Sequence, residues 1–207
     1  MIILTQHQFT ITRWTLATFL GWLLGVIFIL LLSSLLDSIG IENMQFYLGV
    51  GMGAGVGFTQ WLVLKKNTAV NNKSWIWFSI LGMGIPFIIL DMVLTTNRGY
   101  KPVLGVSFGA IALGLLQYTI LKKYSTKAVL WIFGCFAGWS LAVLAVFSIN
   151  YTMRLSAVFF NLTLAFINLF LILAGGIVLG IITGMVLKKI LANTKAGVLI
   201  NKEIIIR

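Results

Sequence analysis

Acidic and metal-binding side chains are scarce in this sequence: 4 Asp and Glu accompany 15 Lys and Arg, with 1 His and 1 Cys. The single cysteine, Cys135, cannot form a disulfide within the chain. His7 has no Cys, His or acidic residue at the spacing of a metal site, so we expect neither a metal nor a cofactor. The sequence also has no Ser-His-Asp or Cys-His set, no HExxH and no P-loop. We therefore expect no enzyme activity.

The composition is that of a membrane protein rather than a soluble domain. Hydrophobic residues make up 60% of the chain and charged residues 9%, and the mean hydropathy is +1.06. The net charge of +11 could suggest nucleic acid as a partner. The basic residues lie in short loops between apolar segments, however, without an extended basic surface. We expect membrane lipids as partners and no nucleic acid, while a protein partner or a homo-oligomer stays open.

Six apolar segments are long enough to cross a hydrocarbon core about 30 Å thick. They cover residues 14–36, 46–64, 75–94, 103–121, 129–149 and 165–187. The predicted fold class is therefore an all-α integral membrane protein with six transmembrane helices. Residues 150–164 stay open between a loop, an interfacial helix and an extension of the sixth span.

The distribution of Lys and Arg predicts the orientation in the membrane. With the N-terminus inside, 12 of the 15 basic residues fall on the inner side, and Arg98, Lys101 and Arg154 fall outside. Inner loops carry the excess of positive charge in such proteins. We expect both termini to be cytoplasmic and the membrane to be a bacterial plasma membrane.

One sequence unit occurs three times. The stretch 49–66 reads GVGMGAGVGFTQWLVLKK, and its related copies, at 105–123 and 175–189, also end in two lysines. Each preceding span has a Trp seven residues before a Gly: Trp14, Trp75 and Trp131. These units predict three tandem hairpins in parallel orientation, with approximate threefold symmetry about the membrane normal. The domain organisation is a single membrane domain, 1–207, made of hairpins 1–66, 67–123 and 124–189 and a cytoplasmic tail, 190–207.

Small residues recur every four positions in the even-numbered spans. Because lipid gives helices no hydrophobic reason to associate, such faces serve close backbone packing. We therefore expect the even spans to be the inner helices and the odd spans to face lipid. The predicted packing residues are Gly49, Gly53, Gly57, Gly109, Gly114, Gly176, Gly180 and Gly184.

Four polar residues inside the spans are the candidate site residues. Gln60 and Gln117 lie five residues before their lysine pairs, and Thr183 takes that place in the third copy. They favour interhelical hydrogen bonding, with a polar ring that binds a ligand or an interfacial lipid-headgroup site as alternatives. Asp91 lies about one turn from the outer end of its span, where it can reach water or pair with Arg98 or Lys101; ion or proton coupling is the alternative.

Trp14, Trp75 and Trp131 begin their spans at the predicted inner interface. Tryptophan is enriched at both membrane–water interfaces, where the indole sits among headgroups. We assign these three residues to an aromatic belt.

The units WTLATFLGW, GVGFTQWLVLKK and GLLQYTILKK resemble small, uncharacterised polytopic membrane proteins of bacteria, cyanobacteria among them, that repeat a Gly-rich span ending in Gln-Trp. This resemblance implies a membrane bundle and no particular activity. Our leading hypothesis is a non-enzymatic integral membrane protein that acts as a scaffold, an accessory subunit or a lipid-interacting component. The alternative is a small transporter, a channel or a substrate-binding membrane subunit with a polar site near Gln60 and Gln117.

Overall fold

A computed structural model describes residues 9–41, 44–68, 70–94, 102–152 and 160–192. The regular elements of these residues are helices, and six of them are long and apolar enough to cross a membrane. This confirms the six predicted spans and indicates an integral membrane protein. The long helices are α1 (Ile11–Ser38), α2 (Phe46–Asn67), α3 (Ser74–Val93), α4 (Pro102–Leu121), α5 (Leu130–Phe147) and α7 (Asn161–Leu191). A 3₁₀ turn (Thr126–Val129) precedes α5, and the short α6 (Ile149–Thr152) follows it.

The boundaries of the helices follow local chemistry. Thr10 accepts a hydrogen bond from the Arg13 backbone N–H at 3.4 Å and so caps the start of α1. Lys65 and Lys66 lie in the last turn of α2, where positive charge is favourable beside the unpaired carbonyl groups. Ser125 caps the 3₁₀ turn by accepting from the Lys127 N–H.

The structure describes part of the segment 150–164, for which the sequence left three alternatives open. Its first residues belong to α6, its last four to the start of α7, and residues 153–159 lie outside the described part of the chain. The last span was predicted at 165–187, whereas α7 has 31 residues, Asn161–Leu191. A helix of this length measures about 46 Å. It therefore tilts in the membrane or extends beyond the hydrocarbon core.

The long helices pack in chain order. Each contacts the one before it and the one after it, and α7 contacts α1, so the contacts close into a ring. A smaller contact joins α2 and α4. The expected division into inner even helices and outer odd helices is wrong, because odd helices also place large side chains in the middle, as described below.

Two faces of α2 bring glycines against different neighbours. A Cβ added at Gly49 or Gly53 would overlap the backbone of α3, at Met83 and Ser79 respectively. On the other face, a Cβ added at Gly51 would lie 3.0 Å from the Ile29 backbone nitrogen, and one at Gly55 would overlap α1. Helix backbones approach this closely only where no side chain separates them.

The other predicted packing glycines also lie against neighbouring helices. A Cβ added at Gly57 would meet the Ser79 side chain. A Cβ added at each of the remaining five glycines would also lie close to an atom of a neighbouring helix: 3.1 Å from Met83 Sδ at Gly109, 3.0 Å from Ile132 Cα at Gly114, 2.9 Å from Trp22 Cβ at Gly176, 2.7 Å from Thr15 Cα at Gly180 and 2.9 Å from Trp14 Cδ1 at Gly184.

Candidate functional site

Three tryptophan side chains meet in the middle of the ring of helices. Trp14 of α1, Trp75 of α3 and Trp131 of α5 are each 0% exposed. Their ring centroids lie 6.4 Å apart for Trp14 and Trp75, 6.1 Å for Trp14 and Trp131, and 5.5 Å for Trp75 and Trp131. These separations are typical of aromatic packing. We call these three residues the tryptophan cluster.

The assignment of the cluster to an aromatic belt is wrong. A belt tryptophan keeps its N–H among headgroups and water, whereas these indoles point inward and find acceptors on other helices. In each case the indole Nε1 donates to a side-chain oxygen. Trp75 donates to Gln60 Oε1 (3.4 Å), Trp131 to Gln117 Oε1 (2.8 Å) and Trp14 to Thr183 Oγ1 (2.9 Å). Each tryptophan is thus bound to the polar residue of the long helix that precedes it in the ring.

The two glutamine carboxamides use their other end as well. Gln60 Nε2 donates to Thr18 Oγ1 at 3.2 Å, and Gln117 Nε2 donates to Ser79 Oγ at 2.9 Å. Gln117 is fully buried, and Gln60 nearly so. Each carboxamide therefore connects three helices through both its donor and its acceptor, which is the way buried amides are normally satisfied.

Thr183 takes the same place with a smaller side chain. Its hydroxyl donates to the Leu179 carbonyl of its own helix at 2.6 Å while it accepts from Trp14. Ser79 likewise donates to the Trp75 carbonyl at 2.8 Å. The structure thus brings together three of the four predicted site residues, Gln60, Gln117 and Thr183, around the tryptophan cluster.

Two residues of this network, Thr18 and Ser79, were missed from the sequence. Each stands four residues after a tryptophan of the cluster, as does Cys135 in the third copy. Residues four apart share a face of a helix. A small polar or thiol side chain that recurs at this spacing is the signal that could have identified them.

Asp91 does not join the network, because it lies sixteen residues after Trp75 on α3, which is about 24 Å along a helix. Its Oδ2 accepts hydrogen bonds from the backbone N–H groups of Gln45, at 2.9 Å, and Phe46, at 2.8 Å. These donors stand at the start of α2, where a helix has unpaired N–H groups and a positive dipole end. Asp91 thus caps a neighbouring helix. Its suggested partners Arg98 and Lys101 lie outside the described residues.

The groups that this network offers are hydrogen-bond donors and acceptors and aromatic rings. Within the described ranges, no three His, Cys, Asp or Glu side chains come together in a way that could hold a metal ion. Cys135 lies beside Gln117, with its Sγ 4.0 Å from Oε1. The arrangement can hold helices together and fix their rotation, since each bond joins different helices.

Comparison of the chain with family models, curated proteins and solved structures found no match. The resemblance to small bacterial membrane proteins therefore stays a prediction, and the function has to be argued from the geometry.

Proposed function

We propose that this protein is a non-enzymatic membrane bundle that acts through its outer surface, as a scaffold, an accessory subunit or a lipid-interacting component. The observation that carries the proposal is the tryptophan cluster, whose three indoles fill the middle of the ring and contact one another. A solute moving between the helices at this level would have to separate the indoles and break their bonds to Gln60, Gln117 and Thr183. Function at the surface requires neither.

The proposal includes an architecture of three hairpins with approximate threefold symmetry and both termini in the cytoplasm. Its support is one hydrogen bond that occurs three times: a tryptophan in the first helix of a hairpin donates to the polar residue in the second helix of the preceding hairpin. The third instance, from Trp14 to Thr183, joins residues 169 positions apart and continues the pattern from the last repeat to the first. The inward excess of Lys and Arg supports the orientation.

The alternative function, a transporter or a substrate-binding subunit with a polar site near Gln60 and Gln117, is less favoured. A ligand would need donors and acceptors from these side chains. Both ends of the Gln117 carboxamide are engaged, with Trp131 and Ser79, at 2.8 and 2.9 Å. A ligand would therefore have to replace two good hydrogen bonds within a buried network, which costs free energy before any is gained.

Reconstitution into liposomes tests the choice. Purified protein is placed in vesicles loaded with potassium, protons or small organic solutes, and efflux is compared with that from protein-free vesicles. We expect no additional flux from the wild type, and none from Gln60→Leu or Gln117→Leu. Native mass spectrometry of the same preparation should show retained lipid or a bound protein.

A solute flux that depends on Gln60 or Gln117 would overturn the proposal. The matched variant is Leu115→Ala, which alters α4 near Gln117 on a membrane-facing side chain that is 48% exposed. If flux falls in Gln117→Leu and persists in Leu115→Ala, the polar network is a transport site, and the protein does not act through its outer surface alone.

A further inference from the structure

A groove on the outside of the bundle combines two cationic side chains with an apolar wall. It lies between α1 and α2, has a volume of about 360 Å³, and is lined by Arg13, Ala17, Leu20, Thr59, Leu62, Val63 and Lys66. Arg13 belongs to the first turn of α1 and Lys66 to the last turn of α2. Both charges therefore stand at one end of the groove, and the apolar residues continue from there along the spans.

A cationic end followed by an apolar wall fits the phosphate and the acyl chains of one glycerophospholipid. Where the membrane-spanning helices reach the interface, a lipid places its phosphate, and its acyl chains run parallel to the helices below it. Guanidinium and ammonium groups bind phosphate oxygens through charge-assisted hydrogen bonds. Leu20 and Leu62, which are 51% and 43% exposed, offer apolar surface at the depth of the first acyl carbons.

The groove also contains the Thr59 hydroxyl. The Thr59 hydroxyl donates to carbonyl groups of its own helix, at 3.3 Å to Gly55 and 3.2 Å to Val56. A hydroxyl that donates in this way keeps its lone pairs as acceptors. Thr59 lies seven residues before Lys66, about 10 Å deeper along α2, so its hydroxyl stands at the level of the acyl chains and the phosphate is held by Arg13 and Lys66.

The other repeats lack this pair of charges. The residue before the cluster tryptophan is Arg13 in the first repeat, Ser74 in the second and Leu130 in the third. The lysine pair that closes each copy of the sequence unit is present in all three, and its second lysine is Lys66, Lys123 or Lys189. Only the first repeat has a cation at both positions, so general attraction of loops to the membrane does not explain the arrangement.

We propose that the α1–α2 groove binds one anionic glycerophospholipid, with the phosphate held between Arg13 and Lys66 and an acyl chain against Leu20 and Leu62. Basic pockets between transmembrane helices are known to select anionic headgroups. The inference rests on the proposed function, since it names the ligand of the outer surface.

Native mass spectrometry in a mild detergent tests this inference with equimolar phosphatidylglycerol and phosphatidylcholine as probes. We expect the wild type to retain phosphatidylglycerol preferentially. Loss of one charge in Lys66→Gln should lower that affinity about fivefold, and Arg13→Gln with Lys66→Gln more than tenfold, with little change for phosphatidylcholine. The control variant Lys123→Gln, at the equivalent position of the second repeat, should stay within about twofold of the wild type.

Two further probes separate a lipid from a free headgroup. Leu62→Asn should weaken the binding of both lipids, because it places an amide against the acyl chain. Glycerophosphoglycerol, which has the headgroup but no chains, should fail to displace phosphatidylglycerol. Displacement by glycerophosphoglycerol, or an unchanged Leu62→Asn variant, would show that the groove binds a phosphate and not a lipid.

The inference is overturned if the wild type retains both lipids equally, or if Lys123→Gln lowers phosphatidylglycerol binding as much as Lys66→Gln does. Thermal melting in detergent verifies that each variant is folded before its lipid binding is compared. The two proposals can fail separately. Solute flux through the bundle together with selective lipid retention would refute only the proposed function. A bundle without flux and without lipid selectivity would refute only the lipid site.

Discussion

The indole Nε1 of Trp131 lies 2.8 Å from Oε1 of Gln117, fourteen residues earlier in the chain and on the neighbouring helix, and donates a hydrogen bond to it. The same carboxamide donates to Ser79 on the helix before that. One side chain thus joins α3, α4 and α5 at a position that is fully buried, where a lost partner leaves a polar group without a hydrogen bond. The stability of the bundle should be sensitive to this residue.

Gln117→Leu should lower the free energy of unfolding by about 1 to 2 kcal/mol, since it removes two interhelical hydrogen bonds of the size measured in membrane bundles. Gln60→Leu should cost less, because the bonds of Gln60 are longer, 3.2 and 3.4 Å. The measurement is unfolding by sodium dodecyl sulfate in mixed micelles. Leu115→Ala serves as the control and should change little; equal losses in all three variants would contradict the structural role.

Thr183→Val should destabilise the bundle by about 1 kcal/mol, because it keeps the shape of the side chain but leaves Trp14 Nε1 without an acceptor. The matched control is Thr119→Val on α4. Thr119 donates to the Leu116 carbonyl of its own helix at 2.6 Å, as Thr183 does to Leu179, so both substitutions lose the intrahelical bond. A greater loss for Thr183→Val isolates the bond from the indole, and its fluorescence should shift as the surroundings of Trp14 change.

Asp91→Leu should cost about 1 to 2 kcal/mol, the value of an N-cap, because the backbone N–H groups of Gln45 and Phe46 lose their acceptor. Asp91→Asn retains an acceptor oxygen, and asparagine caps helices about as well as aspartate, so most of the stability should persist. Hydrogen exchange at the start of α2 gives the local readout. Faster exchange there in Asp91→Asn as well would mean that the negative charge, rather than the oxygen, is what the helix end requires.

Gly55→Ala should destabilise the contact between α1 and α2 by about 1 to 3 kcal/mol, the usual cost of overpacking. The added methyl would overlap the backbone of Gly21 and Gly25. Gly84→Ala is the matched control, since its Cβ would meet only the Val50 side chain closely, with the nearest backbone atom 3.9 Å away. That variant should melt within a few degrees of the wild type; a similar loss at both glycines would point to backbone flexibility instead of packing.

The spans were predictable from hydropathy because an apolar run of sufficient length has only one low-energy environment. The positions of Gln60, Gln117 and Thr183 were also accessible, since they keep one distance from the lysine pairs. Their hydrogen-bond partners, the three tryptophans, could not be predicted. The rotation of each helix decides whether a tryptophan near its end faces headgroups or the interior. Hydropathy does not record rotation.

The role of Asp91 could not be derived from its own span. An acid near the end of a helix is equally compatible with water, a loop cation or a neighbouring helix terminus. Only the tertiary arrangement places the start of α2 beside it. The start of α7 at Asn161 was left open for a related reason, since the polar residues there lower the local hydropathy without interrupting the helix.

The bond from Trp14 to Thr183 joins the first long helix to the last. During synthesis, Trp14 enters the membrane well before its acceptor exists, while Trp75 and Trp131 follow their glutamine partners by only 15 and 14 residues. A nascent chain that stops before α7 would leave one indole N–H without its acceptor, and would leave the face of α1 that carries Trp14, Thr15 and Trp22 without the glycines of α7 that pack on it. The ring of long helices is therefore complete only when α7 has packed against α1.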